Sequence, residues 1–179
     1  MPRRLSLYLG GATLPTWREL AFWDEPVGGL DFTAAKTFAA QAAYVLHVEP
    51  EFMVTPAASV ANFALVEAPD TFMLNVELAV TRALPLQALV GWFVADLGGA
   101  VELSTAPGNR THWGQMVFPV PTTRVRKGDV VSARVELGMD DRGRGHYRWA
   151  GVVRRPGHPA GDVTFDRDTR RRFEGAREV

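Results

Sequence analysis

The chain has 179 residues and a formal net charge of zero, with 46% hydrophobic and 22% charged residues. This length fits one domain with a substantial core, and the composition excludes a disordered chain. The sequence has no cysteine, which excludes disulfides, thiolate metal ligands and a cysteine nucleophile. Nucleic acid is unfavourable as the main partner, because the chain has no excess of positive charge to collect phosphates.

An alanine-rich segment, DFTAAKTFAAQAAYVLHV, is the first distinct element of the chain. Alanine is the strongest helix former, and Phe38 and Val45 fall on one stripe at helical spacing. We therefore predict a helix over about 31–49, with Asp31 or Thr33 as its N-cap. Its apolar side chains exceed what a solvated helix exposes, so we expect the helix to dock on another surface.

The segment after this helix is predicted to run extended over 49–60. Pro50 ends the predicted helix, and each proline biases the residue before it away from helical conformation.

The rest of the chain is dominated by short β patterns. Alternation of apolar and polar residues, with the period of two that is typical of half-buried strands, occurs over 71–80 and again over 130–137. Residues 148–153 are predicted as the hairpin partner of the second of these, because the intervening residues are dense in turn formers. Residues 86–97 are apolar on both faces, as in a strand that is covered on both sides.

These strands and the turns between them favour a mainly β, barrel-like or sandwich-like antiparallel domain with one inserted helical segment. We predict a single domain over 1–166, followed by a charged C-terminal tail over 167–179 that lies on the surface.

The segment VADLGGAVEL over 94–103 has two interpretations. A hydrophobic strand that ends in Asp, Leu and glycines is similar to the cofactor loop of S-adenosylmethionine-dependent methyltransferases. Such a loop is followed by a helix whose N-terminus faces the ligand, whereas the residues after Gly99 continue as a strand pattern. We therefore interpret residues 97–99 as a hairpin turn and predict no cofactor-binding residues.

Metal-binding and acid–base motifs are sparse. The sequence has four dispersed histidines: His47, His112, His146 and His158. No two of them have the spacing of metal ligands, so no metal site is predicted. The carboxylate pairs lie in turns or loops, where carboxylates are usually solvated: they are Glu49 with Glu51 and Asp140 with Asp141.

Arginines alternate with Tyr147 and Trp149 in GRGHYRWAGVVRR, a pattern that could stack on bases. We favour a strand with both aromatic residues inward and Arg148 outward, since the net charge is zero and the spacing is two.

Three stretches together carry a family resemblance. LSTAPGNRTHWGQMVF resembles the C-terminal β-barrel of protein arginine methyltransferases, in which a Thr-His-Trp loop follows a Ser-Thr-Ser-Pro-like turn. FWDEPVGGLDFTAAK is similar to the arm segment of that family, and RKGDVVSARVEL is similar to its Lys-Lys-Gly-Asp strand. The pieces occur in the same order, and the resemblance covers roughly residues 4–165.

The resemblance implies a barrel that is interrupted by a helical dimerisation arm, which would include Phe38, Tyr44 and Val45. It implies a supporting catalytic role for His112 at the mouth of the active cleft. It also implies that Thr111 and Trp113 bind substrate.

In this family a nucleotide-binding domain holds S-adenosylmethionine, and no such domain is found in the chain. We therefore expect no cofactor bound by the chain itself. The leading hypothesis is a substrate-binding and dimerisation barrel, with methyltransferase activity only alongside a catalytic domain or partner. Its expected partners are a second copy, a catalytic methyltransferase chain or an arginine-containing protein substrate.

Two other hypotheses stay open. The chain could be a free-standing binding or scaffold module that uses the same barrel, or an unrelated enzyme whose site is built from His112, Trp113 and carboxylates. The sequence has no apolar stretch of the roughly 20 residues that cross a bilayer and no signal-peptide pattern. We therefore expect a cytoplasmic location and no membrane partner.

Overall fold

The structure is a computed structural model and describes residues 3–15, 17–64, 66, 69–139, 143–157 and 159–171. The fold is mainly β, and its strands pair antiparallel in two sheets that are not closed into a barrel. The prediction of a mainly β, barrel-like antiparallel domain is confirmed. Among the described residues no helix is long and apolar enough to cross a membrane.

The strands are β1 (Arg4–Ala12), β2 (Tyr44–Leu46), β3 (Ala58–Ala64), β4 (Phe72–Ala79), β5 (Pro85–Gly98), β6 (Val101–Ser104), β7 (Gln115–Arg124), β8 (Val130–Met139), β9 (Gly145–Arg154) and β10 (Val163–Asp168). The α-helices are short: α1 (Arg18–Ala21) and α2 (Ala35–Ala39). Single turns of 3₁₀ helix within the described residues include Phe22–Asp24, Pro50–Phe52 and Pro159–Gly161.

The larger sheet has the strand order β2-β7-β5-β1-β3, with β6 also paired to β5, and the smaller sheet has the order β10-β9-β8-β4. The main hydrophobic core lies between them and includes Leu9, Phe118, Val131 and Trp149. A second cluster covers the other face of the larger sheet, where Trp17 and Val48 pack on β5 and β7. β5 is therefore covered on both sides over 86–90, as its two apolar faces predicted, whereas the rest of the predicted segment, 91–97, is half-buried or exposed apart from Ala95.

The alternating strands have the predicted orientation. In β4 the apolar residues at alternate positions are buried, among them Leu74, Val76 and Leu78. β8 and β9 form the predicted hairpin. Trp149 is fully buried and donates its indole N–H to the carbonyl of Pro119 at 2.6 Å.

Arg148 faces the other side of β9 and forms an ion pair with Asp166 at 3.2 Å. The aromatic and arginine pattern of this strand therefore reflects core packing.

The turn in VADLGGAVEL is a β-hairpin. β5 and β6 pair antiparallel up to Gly98 and Val101, which leaves Gly99 and Ala100 as the turn residues. Both have positive φ, at 61° and 63°, as a two-residue turn between twisted strands requires. The hairpin interpretation is confirmed, and the turn residues share only Gly99 with the predicted 97–99.

The predicted helix over 31–49 is wrong in its length and its cap. Only α2 is helical within this range, and residues 44–46 form β2, an edge strand paired with β7. The N-cap of α2 is Ala34, with no side-chain capping hydrogen bond, so neither Asp31 nor Thr33 is the cap. The carboxylate of Asp31 instead accepts hydrogen bonds from the backbone and hydroxyl of Thr33, ahead of the helix. The hydroxyl of Tyr44 donates to the carbonyl of Ala39 at 2.7 Å, and this hydrogen bond satisfies a carbonyl at the C-terminal end of α2. Alanine propensity loses here to strand pairing and side-chain packing.

The predicted extended segment over 49–60 is only partly correct. Pro50 begins a 3₁₀ turn, in which a proline at the first position costs no backbone donor, and extended backbone resumes in β3 from Ala58.

The boundary of the predicted tail falls inside β10. Arg167 and Asp168 pair with Trp149 and Arg148 of β9, so the first two residues of the predicted tail belong to the smaller sheet. Asp168 is buried, and its backbone N–H donates to the side-chain oxygen of Gln41 at 2.9 Å. Residues 172–179 of the predicted tail lie outside the described residues.

The carboxylate of Asp168 forms hydrogen bonds and an ion pair with Arg170. Burial disfavours its charged form, but hydrogen bonds from the side chain and backbone of Arg170, with the charges of Arg170 and Arg171, outweigh that effect. The pKa of Asp168 therefore lies below its ordinary value. A lowered carboxyl pKa adds stability above the unfolded-state pKa, and this stability is lost as the pH falls through the folded-state pKa.

We predict that Asp168→Asn lowers the free energy of unfolding at neutral pH and flattens its decline below about pH 4, the ordinary range of an Asp carboxyl. Urea unfolding measured from pH 7 down to pH 3 checks this. Asp162→Asn, at an exposed residue just before β10, is the control and should leave the profile unchanged. Equal profiles for the wild type and Asp168→Asn would contradict the prediction.

Candidate functional site

The predicted Thr-His-Trp loop lies where one strand changes partner. β5 pairs along one side first with β7, over Pro85–Gly91, and further on with β6, over Val94–Gly98. The loop over 105–114 connects β6 to β7 and therefore leaves the sheet at the gap between the two ladders. A gap of this kind leaves backbone groups of β5 without strand partners unless a side chain replaces them.

Thr105 fills the gap. Its hydroxyl accepts from the N–H of Phe93 and donates to the carbonyl of Phe93, both at 3.1 Å, and its own backbone N–H also donates to that carbonyl at 3.0 Å. Thr105 is fully buried, so these bonds are shielded from water. The start of the loop is therefore fixed to β5.

Gln115 fixes the other end of the loop. Its side chain is 1% exposed. The amide oxygen accepts from the backbone N–H of Val48 at 2.7 Å, and the amide nitrogen donates to the carbonyl of Thr105 at 2.8 Å. One buried side chain thus joins β7, the beginning of the loop and the segment that follows β2.

Two glycines permit the close approach of the loop to that segment. Gly114 has φ 64°, and a Cβ atom there would lie 2.9 Å from the carbonyl oxygen of Leu46. Gly108 has φ 88°, and a Cβ atom there would lie 2.8 Å from Cγ of Pro50. The N–H of Gly108 donates to the carbonyl of Val48 at 3.0 Å. Larger residues at either position would push the loop away.

The structure brings the three predicted loop residues to the surface side by side. Thr111 is half-buried, and its hydroxyl has no hydrogen-bond partner among the described residues. His112 is exposed, and its ring centroid lies 6.4 Å from that of Trp113. Trp113 is 54% exposed and makes an edge contact with Phe93 at 6.1 Å.

Trp113 stands at one side of an apolar cleft between the two sheets, which we call the inter-sheet cleft. Its volume is about 300 Å³. Among the residues that the structure describes, no charged side chain lines it; its lining includes Leu9, Phe118, Leu74, Val135, Leu137 and Tyr147. Val45 of β2 also lines this cleft.

The predicted dimerisation residues fall into two environments. Phe38 is 49% exposed and, with Tyr44, lines a separate depression that also contains Phe22 and Trp23. Tyr44 packs edge-on against Trp17 at 5.7 Å. Val45, 60% exposed, belongs to the inter-sheet cleft, because neighbouring residues of a strand point to opposite faces.

The remaining candidates are scattered. Glu49 forms an ion pair with Arg110 at 3.2 Å, whereas His47 and Glu51 are exposed. His146 is half-buried at the start of β9. Asp140, Asp141 and His158 lie outside the described residues. In the part of the chain that the structure describes, no three His, Cys, Asp or Glu side chains are grouped as metal ligands would be.

A family comparison matches this fold and loop. The sequence profile described as "Arginine methyltransferase oligomerization subdomain" matches residues 6–148. The chain belongs to this family. The match includes α1, α2, the Thr-His-Trp loop and the strands next to them.

Known proteins similar to the chain agree with this assignment. An Arginine N(omega)-methyltransferase of Streptomyces achromogenes subsp. streptozoticus is 30% identical over 122 residues, which cover 64% of this chain and 32% of that protein. Among solved structures, the fold is similar to the Trypanosoma brucei PRMT1 enzyme–prozyme heterotetrameric complex with AdoHcy, with a TM-score of 0.81, 22% identity and coverage of 94% of this chain and 56% of that one.

Arabidopsis thaliana protein arginine methyltransferase 10 has a TM-score of 0.73 and 17% identity, with coverage of 93% of this chain and 59% of that one. The chain therefore spans about a third of the curated relative and somewhat more than half of each solved chain.

Sequence reasoning missed the residues that give this arginine methyltransferase subdomain its loop geometry. Gln115, Thr105 and Gly114 were not predicted as site residues, because each acts on a segment distant in the sequence. One signal was present. Gln115 is a polar residue at the head of an apolar run, GQMVF, and a buried polar side chain is found only where it has partners.

We predict that Gln115→Leu lowers the free energy of unfolding by about 2–6 kcal/mol, because it leaves the N–H of Val48 and the carbonyl of Thr105 buried without their partner, at about 1–3 kcal/mol each. Urea unfolding gives this value. His112→Ala, at an exposed residue of the same loop, should change stability by less than about 0.5 kcal/mol. Equal stability of Gln115→Leu and the wild type would show that the amide does not hold the loop.

Proposed function

We propose that the chain is the substrate-binding and dimerisation part of a protein arginine methyltransferase-like protein. Methyl transfer would need a donor domain that lies on another segment or on a partner chain. The observation that carries this proposal is an exposed tryptophan beside an apolar cleft, on a loop that a buried amide fixes in place. The membership of the chain in the arginine methyltransferase oligomerization subdomain supports it.

The loop offers groups suited to an arginine side chain. Trp113 presents an exposed ring that can cover the aliphatic stem of arginine and attract its guanidinium through a cation–π interaction. His112 stands next to it, exposed, where it can pair with a carboxylate of a catalytic domain and help to orient the guanidinium. Thr111 lies beside them, but its hydroxyl is buried, so Thr111 would meet a substrate through the exposed part of the residue.

S-adenosylmethionine would be held outside the described residues. Methyl transfer needs donor and acceptor in line at near contact. The glycine-containing turn after β5 is a hairpin, and it has no helix behind it to face a cofactor. One solved relative, the Trypanosoma brucei complex, contains AdoHcy. The matched chain of that complex is nearly twice as long as the part that matches here.

Isothermal titration of the purified chain tests the proposal in two steps. S-adenosylhomocysteine is titrated first, and an arginine-rich peptide follows in the same cell. We expect no heat from the cofactor product and measurable binding of the peptide, which a lysine-for-arginine peptide should not reproduce. Binding of S-adenosylhomocysteine would contradict a donor site outside this chain. Failure of the arginine peptide to bind would contradict the substrate-binding role.

A second candidate function, a scaffold that assembles without methylation, is favoured by one observation. The segment from α1 to α2 exposes several large apolar side chains, which a monomer would leave in water: they are Phe22, Val27, Leu30, Phe32 and Phe38. A stable dimer that binds no arginine peptide would favour this scaffold.

Dimerisation through this arm is part of the first proposal. An apolar surface of this size is stabilised when a second copy covers it. The depression that Phe38, Tyr44 and Trp23 line offers a place for an apolar side chain of the second copy.

We predict that Phe38→Asp shifts a dimer to monomer, because the substitution places a charge on the exposed apolar surface of the arm that the partner would bury. Val45→Asp, at another residue that the sequence resemblance places in the arm, should have a smaller effect on assembly, because Val45 faces the inter-sheet cleft. Sedimentation velocity measures the shift. Val101→Asp is the matched control, since Val101 is also exposed but lies on β6, outside the arm. An unchanged sedimentation profile for Phe38→Asp would exclude assembly through the arm.

A further inference from the structure

The inter-sheet cleft is lined mainly by apolar side chains from both sheets. One wall comes from the larger sheet, with Leu9 and Phe118, and the opposite wall comes from the smaller sheet, with Leu74 and Val135. These four side chains are buried within the cleft. The hydroxyl-bearing side chains in the lining are Tyr8, Tyr147 and Thr105, and the hydroxyl of Thr105 is already hydrogen-bonded to Phe93. A charged ligand would therefore lose its hydration there with few hydrogen bonds in return, whereas an apolar ligand has little hydration to lose.

The mouth of the cleft is apolar and open to solvent. Trp113 and Val45, both more than half exposed, stand on the side of the larger sheet. Leu137 and Tyr147, both half-buried, stand on the side of the smaller sheet. A group that enters between them removes apolar surface from water on both sides, and this burial favours binding.

The volume limits the size of the occupant. At about 300 Å³ the cleft is at the lower end of the range of ligand pockets and is about twice the size of an apolar cavity that binds benzene. It therefore has room for an aromatic side chain, including the large ring system of tryptophan.

The position of Trp113 identifies where such a side chain comes from. Trp113 lines the cleft and is also the residue that covers the arginine stem in the proposed function. A peptide whose arginine lies on the exposed ring passes the mouth of the cleft with the residues next to that arginine.

We infer that the inter-sheet cleft is a specificity pocket for an aromatic side chain that lies within a few residues of the target arginine in a protein substrate. This inference rests on the proposed function. It adds a selectivity that arginine recognition alone does not provide, since an apolar pocket discriminates by the area that it buries.

A positional scan of peptides tests the pocket. Each peptide carries one arginine in a glycine-serine background, with a single phenylalanine at one of the three positions on either side, and the parent has none. We expect one or two positions to bind the chain about tenfold more tightly than the parent, as burial of a phenylalanine ring predicts. Free indole should compete with these peptides and leave the affinity of the parent unchanged.

Two variants locate the effect. Leu137→Trp enlarges a side chain that lines the cleft and should remove the advantage of phenylalanine while the parent peptide still binds. Met139→Trp, an exposed residue on the same strand that does not line the cleft, should keep the advantage. Circular dichroism melting establishes that both variants fold, and indole competition on the wild type gives the same information if Leu137→Trp does not fold.

The failures are distinguishable. If every peptide binds with the affinity of the parent, or if Leu137→Trp folds and keeps the advantage, the pocket is excluded and the arginine-binding function stands. If neither the parent nor any phenylalanine peptide binds, both the pocket and the substrate-binding function are excluded.

Discussion

The geometry of the candidate site depends on one buried side-chain amide. Gln115 accepts a hydrogen bond from Val48 and donates one to Thr105, so it ties β7, the loop and the segment after β2 together in a place that water does not reach. A buried amide of this kind is stabilising only while all its partners are present, because each unpaired group costs more than a single bond contributes. The loop is therefore held in one position, and the exposed rings of His112 and Trp113 are presented by a rigid base.

The strands could be predicted from the sequence because their signal is local and periodic. In β4 and β8 the alternation of apolar and polar residues reports directly which face meets the core, and any shift by one residue would expose that face. The helix over 31–49 failed for the opposite reason. Alanine favours helix only weakly, and at Tyr44–Leu46 an aromatic and two branched apolar residues gain more by pairing with β7 than by extending α2.

Some residues of the candidate site could be predicted from their neighbours in the sequence, and others depend on residues that are distant in the sequence. His112 and Trp113 could be found because they form a recognisable loop within a few residues. The hydroxyl of Thr105 forms hydrogen bonds with the backbone of Phe93, and Gly114 lets the loop approach the carbonyl of Leu46, which lies far away in the sequence. Requirements of this kind arise only when the chain has folded, so a pattern along the sequence indicates a polar or small residue at these positions but not its partner.

The short strand β2 lies between the two surfaces that matter for the proposed function. Tyr44 faces the arm, where its ring contacts Trp17 and its hydroxyl holds the end of α2, whereas Val45 faces the inter-sheet cleft beside Trp113. Because β2 has only three residues, a displacement of its backbone on the Tyr44 face also displaces Val45 on the other face. In the proposed dimer, contacts of a second copy with α1 and α2 would therefore act on the same backbone that forms the mouth of the cleft. By linkage, any effect of assembly on the affinity for an occupant of the cleft would be matched by an equal effect of the occupant on assembly.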